Sequence, residues 1–541
     1  MYKKFIVKSK NVFTGTDCGP SPAAILVNGK NIEAVLPYEY QGYPVFDYGE
    51  SLIIPSFIDA HTHLFSGAID ASEFVCTDLG SCASEEECAR MMADYAASHP
   101  DQKRLRGSGW FVGAWGDPSL PDKKSLDAFI DDRPVYLLCA DSHSMWVNSK
   151  ALEEMALPED FDVPDGEVCR YENGEMTGLF LEPAAYAPAK AKYMEFSRDE
   201  LIALHEEFQG KLAKYGISAV SEMMAPDYVP SEFENYEIIR DLENRGLMNS
   251  HVYVYTKLFG YTDFSSYFET KEKYDSSHLH IAGVKGFIDG VTETHTGLLL
   301  EPYTDMPDTC GDNVPLRAKE LMQQEITAAN KAGIQVRLHC IADGSVRMAL
   351  DMYQASAAEN DIVPLRNTVE HIENIHPDDI GRFKELGVVP SVQPYHLVLA
   401  NNGSVIRLGK ERCKYIFPNR TLYENSEDLA FGTDYPVVTM DPFVSIHAAL
   451  TRCDDDGNPS GLNHEEQKLP LEVILKCYTI NAARVYHCED KMGSIEPGKM
   501  ANFLVLSRNL FKAGPDEIED THVEVNYFEG REIYRYCDKG V

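Results

Sequence analysis

No stretch of these 541 residues approaches a membrane span; the apolar runs are short and broken by glycine, proline or charge. The opening MYKKFIVKSKNVFTG carries charge without the apolar core of a secretory leader. The thirteen cysteines contain no CxxC pair, and an odd number cannot all be bridged. Cys76, Cys82 and Cys88, six apart in an acidic segment, read as reduced thiols, so the expected location is the cytoplasm. Positive charge is also scarce, 49 basic against 86 acidic residues, for a formal charge of −37. A surface that acidic repels phosphate backbones, which excludes nucleic acid as the expected partner and leaves a small molecule. There is no internal repeat and no low-complexity tract, and a chain this long exceeds one compact core, so two or three domains are expected.

The chemistry begins at Ile53 to Leu64, IIPSFIDAHTHL, where an apolar run ends in His61 and His63. Successive side chains of a strand point to opposite faces, so histidines at i and i+2 emerge on one side and offer half a metal site. Before this point, Phe5 to Val7, Ala24 to Val27 and Ile32 to Val35 are short β-like runs between turn residues. The end of the chain has the same texture, at Val523 to Phe528 and Glu532 to Tyr534. Residues 1–56 and 486–541 are therefore expected to form one β-sandwich from both termini.

In between, strand-like runs alternate with helical periodicity. The runs are Ile217 to Met223, His251 to Thr256, Ala282 to Ile288, Ile334 to Cys340, Thr368 to Ile372, Val388 to Gln393 and Leu429 to Thr433. With the strand before His61 they make eight, the number that closes a (β/α)8, TIM-like barrel, placed at 57–485. The first gap is too long for a single crossover, so residues of about 70–200 are expected to hold an inserted α/β module. The fold class is thus α/β, a barrel carrying an insertion and a terminal β unit.

Chemistry-bearing residues fall at the carboxyl ends of these strands, where barrels keep their active sites: His61 and His63, Lys285 on strand four, His339, His371 and Asp434. Neutral imidazole and carboxylate suit zinc and similar divalent ions. A free ammonium cannot ligate, so Lys285 joins the set only if carbon dioxide has turned it into a carbamate.

At this point the chain resembles the amidohydrolase superfamily, and within it the YtcJ-like amidohydrolase 3 family. The motifs are PSFIDAHTHL at 55–64, VKGFIDGVTETHTGLLLEPY at 284–303, LHCIADGSVRMALDMY at 338–353, TVEHIENIHPDDIGRFKELGVVPSVQPYH at 368–396 and FGTDYPVVTMDP at 431–442. YTINAARV and GSIEPGKMANFLVL near the end extend the resemblance over nearly the whole chain. It implies one or two divalent ions, zinc first. His61, His63 and Asp434 would hold one ion, His339 and His371 the other, and carbamylated Lys285 would bridge them. Asp434 would take the proton from metal-activated water, while Glu370 and Asp343 could orient imidazoles. ADSHSMWVNSKAL at 140–152 resembles a family segment that makes His143 a candidate to reach the substrate carbonyl. Trp115, Tyr303 and Gln393 are substrate-binding candidates; Asp117 and His295 are weaker ones.

The implied activity is metal-dependent hydrolysis of a non-peptide C–N bond, in an amide, N-acyl, N-formyl or cyclic amide substrate. Two alternatives stay open, a mononuclear heterocycle deaminase and a non-catalytic small-molecule sensor built on the same barrel. Lys285 argues against the first and the full set of ligand types against the second. The substrate's identity, the number of metals and a homodimer through the insertion are left open by the sequence.

Overall fold

The computed structural model describes residues 3–72, 76–112, 115, 119–140, 144–163, 166–181, 183–223, 232–311, 317–360, 365–400, 403–426, 428–454, 457 and 464–537. Two compact units result, one of residues 1–64, 209–224 and 239–541, the other of 65–208 and 225–238.

The larger unit is organised by a parallel sheet. Its strands are β1 (Phe57–Ile58), β2 (Ile217–Met223), β3 (His251–Lys257), β4 (Leu279–Phe287), β5 (Gln335–Cys340), β6 (Thr368–His371), β7 (Val389–Val392) and β8 (Ala430–Phe431), paired in that order. The sheet curls until the chain just beyond its first strand bonds the end of its last strand and the residues after it. Ala60 N donates to Phe431 O at 3.0 Å, and Asp434 N donates to His61 O at 2.6 Å. Such a curled parallel sheet is consistent with a TIM-like barrel. Its strands are buried on both faces, which is why they read as near-continuous apolar runs. Polar residues interrupt the runs where chemistry or interior bonding needs them. Arg337, fully buried on β5, donates to Glu370 Oε1 at 2.6 Å and to Ala60 O at 2.8 Å.

The apolar run before His61 is two strands rather than one. Leu52–Pro55 pairs with Phe503–Leu506 in another sheet, and only Phe57–Ile58 belongs to the curled one. The chain changes sheets at Ser56, whose N–H donates to Asn502 O, while Phe57 N–H donates to Gly216 O. Pro55, without an N–H to give, ends the first strand. That other sheet takes strands from both termini, ordered Arg531–Arg535, Val523–Phe528, Phe503–Leu506, Leu52–Pro55, Lys4–Val12, Ser21–Asn28 and Asn31–Leu36. Phe5, Val7, Ile25, Ile53, Phe503, Val525 and Tyr527 share its core.

The smaller unit has its own six-stranded mixed sheet, running from Thr77–Asp78 to Met176–Leu181 in the sequence. Trp110, Trp115 and Trp146 meet in its core, with ring centroids 5.9 to 6.4 Å apart. Trp115 packs in the core of this unit, and Trp115→Ala is expected to cost about 3 kcal/mol of stability. A lowered thermal midpoint with KM within about twofold of wild type checks it; an unchanged midpoint with a raised KM would return Trp115 to the substrate. Among the described residues no helix is long and apolar enough to cross a membrane.

Candidate metal centre

Strand ends of the curled sheet bring His61, His63, His371 and Asp434 together. His63 Nε2 lies 3.0 Å and His61 Nε2 3.4 Å from Asp434 Oδ1, and His371 Nδ1 lies 3.9 Å from Oδ2. One donor atom each from His61, His371 and Asp434 falls within 4.8 Å of the others. His339 joins through its ring, whose centroid is 4.4 Å from that of His371. Both His371 (φ +73°) and Asp434 (φ +63°) hold left-handed backbone, a conformation that costs energy away from glycine and clusters at functional sites. Gly432 lets β8 approach closely here: a Cβ on it would meet His61 N at 2.4 Å.

Three of the imidazoles are aimed by a partner on one ring nitrogen. His61 Nδ1 donates to Glu370 Oε2 at 2.7 Å, and Arg337 holds the other Glu370 oxygen. His371 Nδ1 donates to Gln393 Oε1 at 2.8 Å, and His339 Nε2 to Gly290 O at 3.2 Å. A ring that donates from one nitrogen presents a lone pair on the other, the arrangement seen around metal-ligating histidines.

Lys285, 3% exposed on β4, has an Nζ without a hydrogen-bond partner. Burial pulls its pKa down to about 8, with nearby Glu370 resisting and Arg337 adding to the fall. Burial also holds His61 near 4 and His339 near 3, with the Lys285 charge working in the same direction. Burial drives Asp434 upward, but His61 and His63 more than reverse it and keep the carboxylate ionised. The neutral imidazoles of His61, His339 and His371, an ionised carboxylate and an orphaned buried amine fit a divalent ion at this mouth, with Lys285 as the position a carbamate would complete.

These titrations set an acid limit. His61, His205, His251, His280, His339 and His371 all have pKa values lowered by burial, so the unfolded chain takes up more protons below pH 6.5 and stability falls with pH. Asp59, Asp70 and Asp289, raised by burial to between about 6 and about 7, and His63 and His278, raised against burial by Asp434 and by Glu529 and Glu243, work against the trend. Each buried histidine costs up to about 2 kcal/mol at pH 5. Urea midpoints of chelator-treated protein should be lower at pH 5 than at pH 7; equal or higher midpoints at pH 5 would contradict the buried neutral histidines.

The other sequence candidates take different places. Gln393, expected at the substrate, accepts from His371 Nδ1 through Oε1, while its buried Nε2 has no hydrogen-bond partner among the described residues. Tyr303, also expected there, is 1% exposed and donates its hydroxyl to Gly297 O at 2.7 Å, which makes it a loop anchor. Asp343, expected to orient an imidazole, accepts instead from Leu300 N at 3.0 Å. Asp289 stands nearer that role, 3.9 Å from His339 Nε2, while accepting from Ile341 N and Ala342 N. His295 pairs with Asp305 at 3.0 Å. His143 and Asp117 lie outside the described residues. Sequence reasoning missed Arg337, Asp289 and also His396, whose Nε2 is 3.8 Å from Asp434 Oδ2 and whose Nδ1 is 3.6 Å from Glu373.

Residues 45–534 match the amidohydrolase family as a whole. Among curated proteins, the chain is 29% identical to Protein LONG AFTER FAR-RED 3 of Arabidopsis thaliana, over 89% of this chain and 82% of that protein. It is 26% identical to the putative amidohydrolase YtcJ of Bacillus subtilis, over 90% and 89%. It is 24% identical to the N-substituted formamide deformylase of Arthrobacter pascens, over 99% and 98%. Among solved structures, an uncharacterized metal-dependent hydrolase from Pyrococcus horikoshii superposes with a TM-score of 0.78 at 23% identity, covering 98% of this chain and all of that one.

Proposed function

The chain belongs to the amidohydrolase family of metal-dependent hydrolases, and from that membership we propose that it hydrolyses a non-peptide C–N bond in a small amide, with N-substituted formamides the first substrates to try. The observation that carries this reading is the convergence of His61, His63, His371 and Asp434 at one mouth, beside the unpartnered amine of Lys285. The curled parallel sheet is read here as a (β/α)8 barrel that presents these groups from its carboxyl-terminal rim. His61, His63, His371 and Asp434 would hold a divalent ion there, zinc first, which would supply Lewis acidity toward a carbonyl and toward water.

The chain's own residues do the rest. Asp434, ionised and within 3.0 Å of His63, accepts the proton of the attacking water on a carboxylate oxygen and hands it to the leaving nitrogen. Arg337 and Glu370 fix the ring of His61, and Gln393 fixes that of His371, so the mouth keeps its geometry as that proton moves. The formamide choice rests on the Arthrobacter pascens relative, similar along 99% of this chain.

The test is turnover by zinc-loaded protein against N-substituted formamides, N-acyl amino acids and lactams, with release of free amine or ring opening as the readout. Formate and amine in equal amounts from a formamide would support the narrow reading, and hydrolysis of another amide alone would move the substrate class. Ammonia released from an aminated heterocycle, with no amide turned over, would replace hydrolysis of an amide by deamination.

A further inference from the structure

Far from Asp434 along the strands, the chain repeats the spacing of His61 and His63 in His278-Leu279-His280. His251 opens β3 and His278 directly precedes β4, so both lie at the amino-terminal ends of these strands, the end opposite the mouth. Val252 N–H donates to His278 O at 2.7 Å, which sets the two histidines side by side. Glu529, in the turn between Val523–Phe528 and Arg531–Arg535, reaches them from the terminal sheet. We infer that His251, His278 and Glu529 form a second divalent-metal site, separate from the candidate centre, that ties the terminal sheet to the base of the curled one.

Three observations carry it. One donor atom each from His251, His278 and Glu529 falls within 4.8 Å of the others, and all three residues are buried. Glu243 Oε1 accepts from His278 Nδ1 at 3.0 Å, which turns Nε2, 3.5 Å from Glu529 Oε1, inward as the ligating nitrogen. This is the carboxylate and histidine pairing typical behind a metal ligand. Finally, His251 is 1% exposed, and neither of its ring nitrogens has a partner at hydrogen-bonding geometry. The Ser277 backbone acts on it only as the weakest influence on its titration. A buried imidazole without partners is costly unless something binds it, and a divalent ion held jointly with His278 and Glu529 would satisfy it.

Tetrahedral coordination at bond lengths of about 2.0–2.2 Å needs donors about 3.4 Å apart. His251 and His278 are now stacked, centroids 5.0 Å apart and 25° between planes. Binding therefore requires the His251 ring, which no bond anchors, to turn toward Glu529. Lys30 Nζ, 2.8 Å from Glu529 Oε2, takes the outer carboxylate oxygen and leaves Oε1 facing the histidines. Burial opposes a charge on His278, but Glu529 and Glu243 outweigh it, so the ion must displace a proton from that ring to solvent. The competing state is an imidazolium clamped between the two glutamates.

The experiment uses the full chain carrying His61→Ala and His63→Ala, exchanged into zinc chloride and then into metal-free buffer at pH 8. About one zinc per chain is expected to remain, to raise the thermal midpoint by on the order of 2–4 °C, and to be lost when His251→Gln or Glu529→Gln is added. Retained zinc and midpoint unaffected by either substitution would overturn the site. If these variants fail to fold, anomalous diffraction at the zinc edge from wild-type crystals grown with zinc chloride decides. A peak among His251, His278 and Glu529 supports the site, and crystals showing zinc only at the mouth overturn it.

Discussion

Replacing Asp434 by asparagine is expected to lower turnover by about 10²–10⁴-fold, the range for losing a positioned acid–base group. Asparagine keeps the shape of the side chain and can still accept from His63 Nε2, which lies 3.0 Å from Oδ1, but it cannot take up a proton. The aspartate itself starts in the ionised form that accepting a proton requires. It is buried yet ionised, because His61 and His63 stabilise its charge by more than burial destabilises it. The fold should survive, since Asp434 N still donates to His61 O and the histidines remain held by Glu370 and Gln393. Its loss should therefore fall on kcat, with KM little changed, and the acidic limb of the pH–rate profile should disappear. Near-normal turnover with that limb intact would remove Asp434 as the proton acceptor and shift the role to another group such as His396, 3.8 Å away.

What the sequence made legible was whatever depends on local period. Histidines two apart, and His339, His371 and Asp434 after apolar runs, could be placed at strand ends because alternation and run length are visible in a linear string. The contacts that aim these groups were visible only in part, because they join residues far apart in the chain: Glu370 was expected to orient an imidazole, but which one, and with Arg337 behind it, was not legible. Glu370 and His61 are separated by 309 positions, and Arg337 reads as an ordinary charged residue until the sheet curls and buries it. The same cause explains the misplaced candidates. Asp343 and Asp289 both follow strand ends, and only the turn of the chain after β4 decides that Asp289 approaches His339 while Asp343 anchors Leu300. Ile53 to Ile58 looked like one strand because apolar character alone does not record a change of sheet.

Removing the amine of Lys285, as in Lys285→Ala, is expected to weaken metal retention and turnover on the order of 10²-fold, comparable to the loss of a conserved partner of a metal site. The argument starts from cost. A buried ammonium without a hydrogen-bond partner is unfavourable, and burial brings its pKa down to about 8, so a substantial fraction of the amine is neutral at that pH. A neutral amine adds carbon dioxide, forming an N–C bond and releasing one proton, and the product is a carbamate anion. That exchange would turn a cation among His61, His339 and His371 into an oxygen donor that a divalent ion favours. Wild-type protein stripped of carbon dioxide at mildly acidic pH should lose activity and regain it with bicarbonate. Lys285→Ala should ignore bicarbonate and be partly rescued by a short-chain carboxylate that fills the gap. Carbon-13 bicarbonate should give a carbamate carbonyl resonance in wild type that is absent from Lys285→Ala. Full activity without carbon dioxide, together with no labelled resonance in metal-loaded protein, would leave Lys285 as a plain amine and the ion to the histidines and Asp434 alone.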